Sequence, residues 1–180
     1  MKSARVLAGA LLWLSLAFSS NAHAWECADW GKWFANRCVG AKEAWHNGDW
    51  NLMVPAYTWH APWDYNNRDD QNAYPLGIGI ARSVDRERNT DMLVAMGFQD
   101  SHSKPMYIAG YGYLYNWGDR RSFHSSIGFA AVLYAREETS YIPIPGIAPI
   151  GGVSYANVSL MGTYLPIINV AMFWAQVKFK

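Results

Sequence analysis

The chain has 180 residues, 15 of them Lys or Arg and 14 Asp or Glu, with a formal charge of +1 and 16% aromatic residues. That length accommodates one domain, and the near-neutral balance lacks the basic footprint of a nucleic-acid-binding protein. Beyond the apolar stretch at the start, no run approaches the ~20 consecutive apolar residues of a membrane helix.

Lys2 and Arg5, the apolar run Val6 to Phe18, and the small-residue site Ala22-His23-Ala24 have the layout of a secretory signal peptide over residues 1–24. Cleavage is expected after Ala24. An exported, aromatic-rich chain with no spanning helix points to a transmembrane β-barrel.

Cys27 and Cys38 follow, in a compartment that permits oxidation. On one unbroken helix they would stand about 16 Å apart, beyond the ~7 Å limit for a disulfide. A bridge therefore requires a break near Gly31, and free thiols and a disulfide both remain open. No further ligand cluster accompanies the pair, so no metal site is expected.

Within residues 25–49, Trp30, Trp33, Phe34, Cys38, Ala41 and Trp45 recur at helical spacing, with Lys32, Asn36, Lys42 and Glu43 off that stripe. The pattern predicts an amphipathic helix lying along a membrane interface; packing on a soluble core is the competing reading. Asn47-Gly48-Asp49 ends it.

Residues 50–180 divide into segments of about ten residues separated by polar turns, the signature of an outer-membrane barrel. Strands are expected at 51–60, 75–84, 91–100, 106–117, 122–136, 141–154, 157–165 and 170–179, giving an all-β, eight-stranded antiparallel transmembrane barrel behind an N-terminal helix. Because successive strands run alternately outward and inward, His60, Asp100 and Ser101 fall on one extracellular rim. In the first strand, regular alternation places Leu52, Val54, Ala56 and Thr58 on one face and Met53, Pro55, Tyr57 and Trp59 on the other.

In the last strand the odd positions Ala171, Phe173, Ala175, Val177 and Phe179 suit lipid. The even positions run from Val170, Met172 and Trp174 to Gln176 and Lys178, so the lumen is expected to be apolar toward the outer end and polar toward the inner. An eight-stranded barrel encloses little more than side chains or one slender ligand, and an acyl chain fits that description.

Among candidate catalytic groups, His60 can supply a base, Ser101 a hydroxyl and Asp100 an orienting carboxylate, with His102 a rival base and His124 structural. Consecutive strand residues point to opposite faces, which argues against a linear triad of Ser101, His60 and Asp100. No G-x-S-x-G elbow occurs, since Gly152-Val153-Ser154-Tyr155-Ala156 fails at its last position.

The ordered segments PAYTWHA (55–61), GFQDS (97–101), IAGYGY (108–113), YIPIP (141–145) and TYLP (163–166) resemble those of the lipid A palmitoyltransferase family, PagP. The resemblance implies an outer-membrane enzyme of Gram-negative cells that moves palmitate from a phospholipid donor to lipid A of lipopolysaccharide. A monomer is expected, and nothing in the residues calls for a metal or cofactor. It implies His60 as principal base with Asp100 and Ser101 assisting, and Gly112 as the residue that sets acyl-chain length. It also implies that Pro55 and Pro75 on one side, and Pro149 and Pro166 on the other, border lateral openings for lipid. The chain departs from the family pattern in a shorter first outer loop, in Tyr74 where arginine precedes the proline, and in its cysteine pair. The alternatives are an outer-membrane phospholipase with water as acceptor and a non-enzymatic structural barrel.

Overall fold

The computed structural model describes residue 27 and residues 31–61, 71–119, 122–165 and 170–179. The expected leader over residues 1–24, Trp30 and Pro166 lie outside the described residues. Two compact units are present, Met1–Cys38 and Val39–Lys180.

In the first unit Cys27 and Cys38 form a disulfide, with Cα atoms 5.6 Å apart. The bridge is sterically possible because α1 (Lys32–Asn47) begins only after Gly31, which leaves Cys27 outside the helix. The Ala35 N–H donates to the Gly31 carbonyl at 3.1 Å, the opening turn of the helix.

The second unit is a closed antiparallel barrel of eight strands in sequence order. They are β1 (Asp49–His60), β2 (Gly77–Arg86), β3 (Asn89–Gln99), β4 (Pro105–Gly118), β5 (Phe123–Arg136), β6 (Ile144–Tyr155), β7 (Val158–Leu165) and β8 (Val170–Phe179). The sixth strand starts three residues later than expected. A 3-10 turn, Glu137–Thr139, and left-handed backbone at Ser140 (φ 52°) and Tyr141 (φ 58°) use up that length.

Outward positions carry Ile78, Ile80, Tyr107, Ile127, Leu133, Ile147 and Leu160, all exposed. A soluble protein rarely leaves so continuous an apolar wall uncovered, whereas a lipid-facing barrel requires one. The inward core comprises Met53, Ala81, Met92, Met96, Leu114, Ile150, Met161 and Trp174.

Toward the end where β1 begins and β8 finishes, the lumen turns polar. Asn51 donates to Ser83 Oγ at 2.9 Å and accepts from Gln176 Nε2 at 3.0 Å. Asn116 donates to Thr90 at 3.0 Å and accepts from Ser126 at 2.6 Å, and Lys178 pairs with Asp85 at 2.7 Å. These groups line a cavity of about 280 Å³ that also meets His124, Ser154 and Ser159. Buried polar groups that satisfy one another in this way fix the inner half of the lumen in one arrangement.

Outside the barrel, the second half of α1 packs on the wall through Gly40 and Ala44, both buried. Asp91, on the outward face of β3, is nonetheless fully buried, paired with Arg86 at 2.7 Å and accepting from the Tyr111 hydroxyl. Arg82 donates to the carbonyls of Trp45 at 2.7 Å and Gly48 at 2.8 Å, capping the helix C-terminus with a positive charge. A Cβ on Gly40 would lie 2.2 Å from Arg86 Nη2 and 2.3 Å from Asp91 Cγ. Gly40→Ala should therefore destabilise the folded protein by roughly 1–3 kcal/mol, the usual cost of overpacking. Urea unfolding in detergent micelles measures it, and an unchanged midpoint would mean that α1 does not bear on this ion pair.

Candidate functional site

The expected regular alternation of β1 does not hold. Pro55 is opposite Trp174 and Tyr57 is opposite Phe173, so Ala56 has no partner on β8 and forms a bulge. Proline offers no N–H to the ladder, and a bulge at such a position accommodates the missing bond. The extra residue reverses the parity beyond it. Asn51, Met53 and Pro55 face inward, Ala56 and Tyr57 both face outward, and Thr58 and His60 face inward. Without the bulge His60 would share a face with Leu52 and Val54 and point at lipid.

His60 thus ends β1 buried, at 8% exposure. On the same rim β3 ends at Gln99, one residue before Asp100, and the turn it enters is built around that carboxylate. Asp100 Oδ1 accepts the backbone N–H groups of His102 and Lys104, each at 2.9 Å. Asp100 Oδ2 is buried and accepts no hydrogen bond among the described residues. Ser101 sits in the turn rather than on a strand, so strand alternation does not decide which way its side chain points. Its carbonyl accepts the Asn72 N–H at 2.6 Å, which ties the turn to the segment preceding β2.

Further groups that the spacing did not single out, or singled out only as a rival, complete the rim. His102 is close enough to His60 for their charges to interact. Donor atoms of Asp100, His102 and Glu138 lie within 4.8 Å of one another. Two carboxylates and an imidazole in that arrangement could hold a cation, but Arg136 already occupies both carboxylate oxygens of Glu138. That hydrogen bonding pulls the Glu138 carboxyl down to about 2, so at neutral pH it is ionised beside Arg136. Lys104 and Glu137 form a second pair at 3.2 Å. The sequence signal was the run Arg136-Glu137-Glu138 at a strand end, which acquires meaning only when the loop folds back over the turn at Asp100.

Two seams run down the wall below this rim. β1 continues to His60 along β8, yet pairs with β2 only from Asp49↔Ser83 to Met53↔Gly79. Residues 54–57, including Pro55, have no ladder partner on that side; contact resumes at the Thr58 N–H, which donates to the Ala73 carbonyl at 2.8 Å, two residues before Pro75. On the far side β6 pairs with β7 only from Tyr155↔Val158 to Ile150↔Thr163. Pro149 is the next residue up, and its carbonyl accepts from the Thr163 hydroxyl at 2.7 Å.

Gly112 faces the lumen. A Cβ there would lie 2.8 Å from Met92 Cγ and 3.6 Å from Ile150 Cδ1, so the glycine makes room for the methionine.

Comparison with known proteins decides the family. The family described as antimicrobial peptide resistance and lipid A acylation protein PagP fits residues 41–175. The chain belongs to the PagP family. It is 32% identical over 155 residues to the lipid A acyltransferase PagP of Methylobacillus flagellatus, covering 82% of this chain and 84% of that one. To the lipid A acyltransferase PagP of Shigella boydii it is 37% identical over 139 residues, covering 72% and 75%. The lipid A palmitoyltransferase PagP of Escherichia coli K12 is 34% identical over 158 residues, covering 82% and 85%.

The bulge in this PagP family member has a direct spectroscopic consequence. Nitroxide labels on single cysteines replacing Ala56 and Tyr57 should both be relaxed by lipid-soluble oxygen, while a label at Thr58 should not. Strict alternation of oxygen access from position 54 to position 59 would contradict the bulge.

Proposed function

We propose that this protein is an outer-membrane acyltransferase that moves a palmitoyl chain from a glycerophospholipid to a hydroxyl of lipid A. The observation that carries the reading is the division of the lumen: apolar side chains beneath His60, a polar network farther down, and a break in strand pairing on each side of the apolar half. A saturated chain is the ligand such a space fits, and a seam lets it enter from the bilayer without crossing water.

In the proposed reaction His60 takes the proton from the acceptor hydroxyl as its oxygen attacks the donor ester carbonyl. The tetrahedral intermediate collapses, the lysophospholipid oxygen leaves, and that oxygen recovers the proton from His60. Asp100, locked in its turn, orients the rim, and Ser101 assists. The gap at Pro55 beside Pro75 and the one at Pro149 border the two routes for lipid, and the family resemblance adds Pro166 to the second. The family relation and the lipid-facing wall support an outer-membrane location. A leader cleaved after Ala24, a phospholipid as acyl donor and a monomeric working form belong to the same reading.

Replacing His60 with Ala should lower transfer to lipid A by about 100-fold or more, in line with loss of a general base, while the barrel stays folded. Mass spectrometry of lipid A incubated with phospholipid and pure protein reads the transfer, and full activity in the variant would remove His60 from the mechanism. If free fatty acid were the sole product with lipid A present, the protein would instead be a hydrolase.

The position of the floor gives a separate expectation. Gly112→Ala places a methyl against Met92 and should shorten the preferred acyl chain. Unchanged selectivity from a mixed-chain donor pool would put the floor elsewhere.

A further inference from the structure

Ligand atoms from two loops converge on the outer rim. Asp100 and His102 come from the turn after β3, Glu138 comes from the 3-10 turn between β5 and β6, and donor atoms of all three lie within 4.8 Å of one another. A tetrahedral zinc site with bonds of about 2.0–2.2 Å sets its ligand atoms roughly 3.5 Å apart, so side-chain rotation covers the difference.

Asp100 distinguishes this cluster from an ordinary group of surface acids. The residue is 6% exposed, and its Oδ1 accepts the backbone N–H groups of His102 and Lys104 at 2.9 Å each. Its Oδ2 is buried and accepts no hydrogen bond among the described residues. A buried carboxylate oxygen left in that state carries a desolvation cost that a cation would offset. The Arg136 fork does not close the site, because it takes one lone pair on each Glu138 oxygen and an ionised carboxylate offers about four. Arg136 instead orients Glu138, as groups behind a metal ligand do, and the Lys104–Glu137 pair at 3.2 Å fastens one loop to the other.

The local charge favours a dication. Lys104 and Glu137 cancel, and Arg136 offsets only one of the carboxylates of Asp100 and Glu138. Calcium and magnesium call for shells of oxygen, whereas two carboxylates with an imidazole suit a zinc-class ion.

We propose that Asp100, His102 and Glu138 form a binding site for a zinc-class divalent cation, and that the bound ion inhibits the enzyme. His60 is near enough to His102 for their charges to interact. In the transfer reaction His60 holds a proton while the tetrahedral intermediate forms and collapses, and a dication beside it disfavours that protonated state. The inhibition rests on the acyl-transfer reading; the binding does not.

Zinc chloride titrated into the intact, untagged protein in detergent, followed by calorimetry, tests the site. Mass spectrometry of lipid A over the same zinc range tests the inhibition. The wild-type protein should bind zinc at one site per chain and lose transfer by about tenfold or more at saturation. His102→Gln and Glu138→Gln alter exposed side chains, so both variants should fold. Loss of a direct ligand costs no less than the roughly 10–100-fold lost with a group that only orients one, so each variant should weaken zinc binding by at least about tenfold. The zinc concentration for half-inhibition should rise by the same factor, judged against each variant's own zinc-free rate. Unchanged zinc binding in both variants, or magnesium chloride bound as tightly as zinc, would overturn the site. Zinc bound there with transfer unaltered would overturn the inhibition. If the wild-type protein transfers nothing without zinc, the acyl-transfer reading fails, and calorimetry still decides the site.

Discussion

The unpaired residue at Ala56 is the constraint on which the candidate site depends. A strand has only two faces, so a single extra residue decides whether everything after it meets lipid or lumen. In β1 that choice falls four residues before the strand ends, and it turns Thr58 and His60 inward while leaving the lower half of the strand in its original phase. Pro55 takes part in two ways. It cannot donate to a ladder, which favours irregular pairing with β8, and it stands in the stretch where β1 has already parted from β2. One residue type therefore underlies both the orientation of the candidate base and the opening beside it.

The Asp100 turn is the second fixed point. A carboxylate that accepts two backbone N–H groups holds a short loop in a single shape. The bond from Asn72 to the Ser101 carbonyl then fastens the neighbouring segment to it. Ion pairs between Arg136 and Glu138 and between Lys104 and Glu137 extend the same surface across to the β5–β6 connection. The rim is thus assembled from four separate stretches of chain, each anchored by backbone or charge rather than by apolar packing.

Much of this was legible in the residues. Strand number and direction followed from turn spacing, and they brought His60, Asp100 and Ser101 to one end. The alternation in β8 gave the polarity gradient of the lumen, because the extra residue in its pairing with β1 lies on β1 and β8 keeps its own phase. The phase of β1 was not legible, since a bulge is a property of two strands in register and β1 alone reads as regular. The expectation that consecutive Asp100 and Ser101 face opposite ways does not apply for a similar reason: neither residue is on a strand. Whether Cys27 and Cys38 were joined turned on where α1 begins, a boundary that the aromatic stripe blurred. The partner of Glu138 lay two residues away in sequence, yet its place beside Asp100 and His102 depended on how the loop folds back.

The two seams have a mechanical meaning. Among the described residues, the ladders between β1 and β2 and between β6 and β7 stop above the level of Met53 and Ile150, whereas every other pairing continues toward the rim. The upper wall is therefore two curved leaves, a narrow one of β7, β8 and β1 and a broad one of β2 to β6, joined below as a continuous cylinder. Parting the leaves would break the bonds from the Thr58 N–H to the Ala73 carbonyl and from the Thr163 hydroxyl to the Pro149 carbonyl, but no ladder pair. The lower cylinder, held by its polar network, acts as the spine of a clasp whose jaws are both strand and opening.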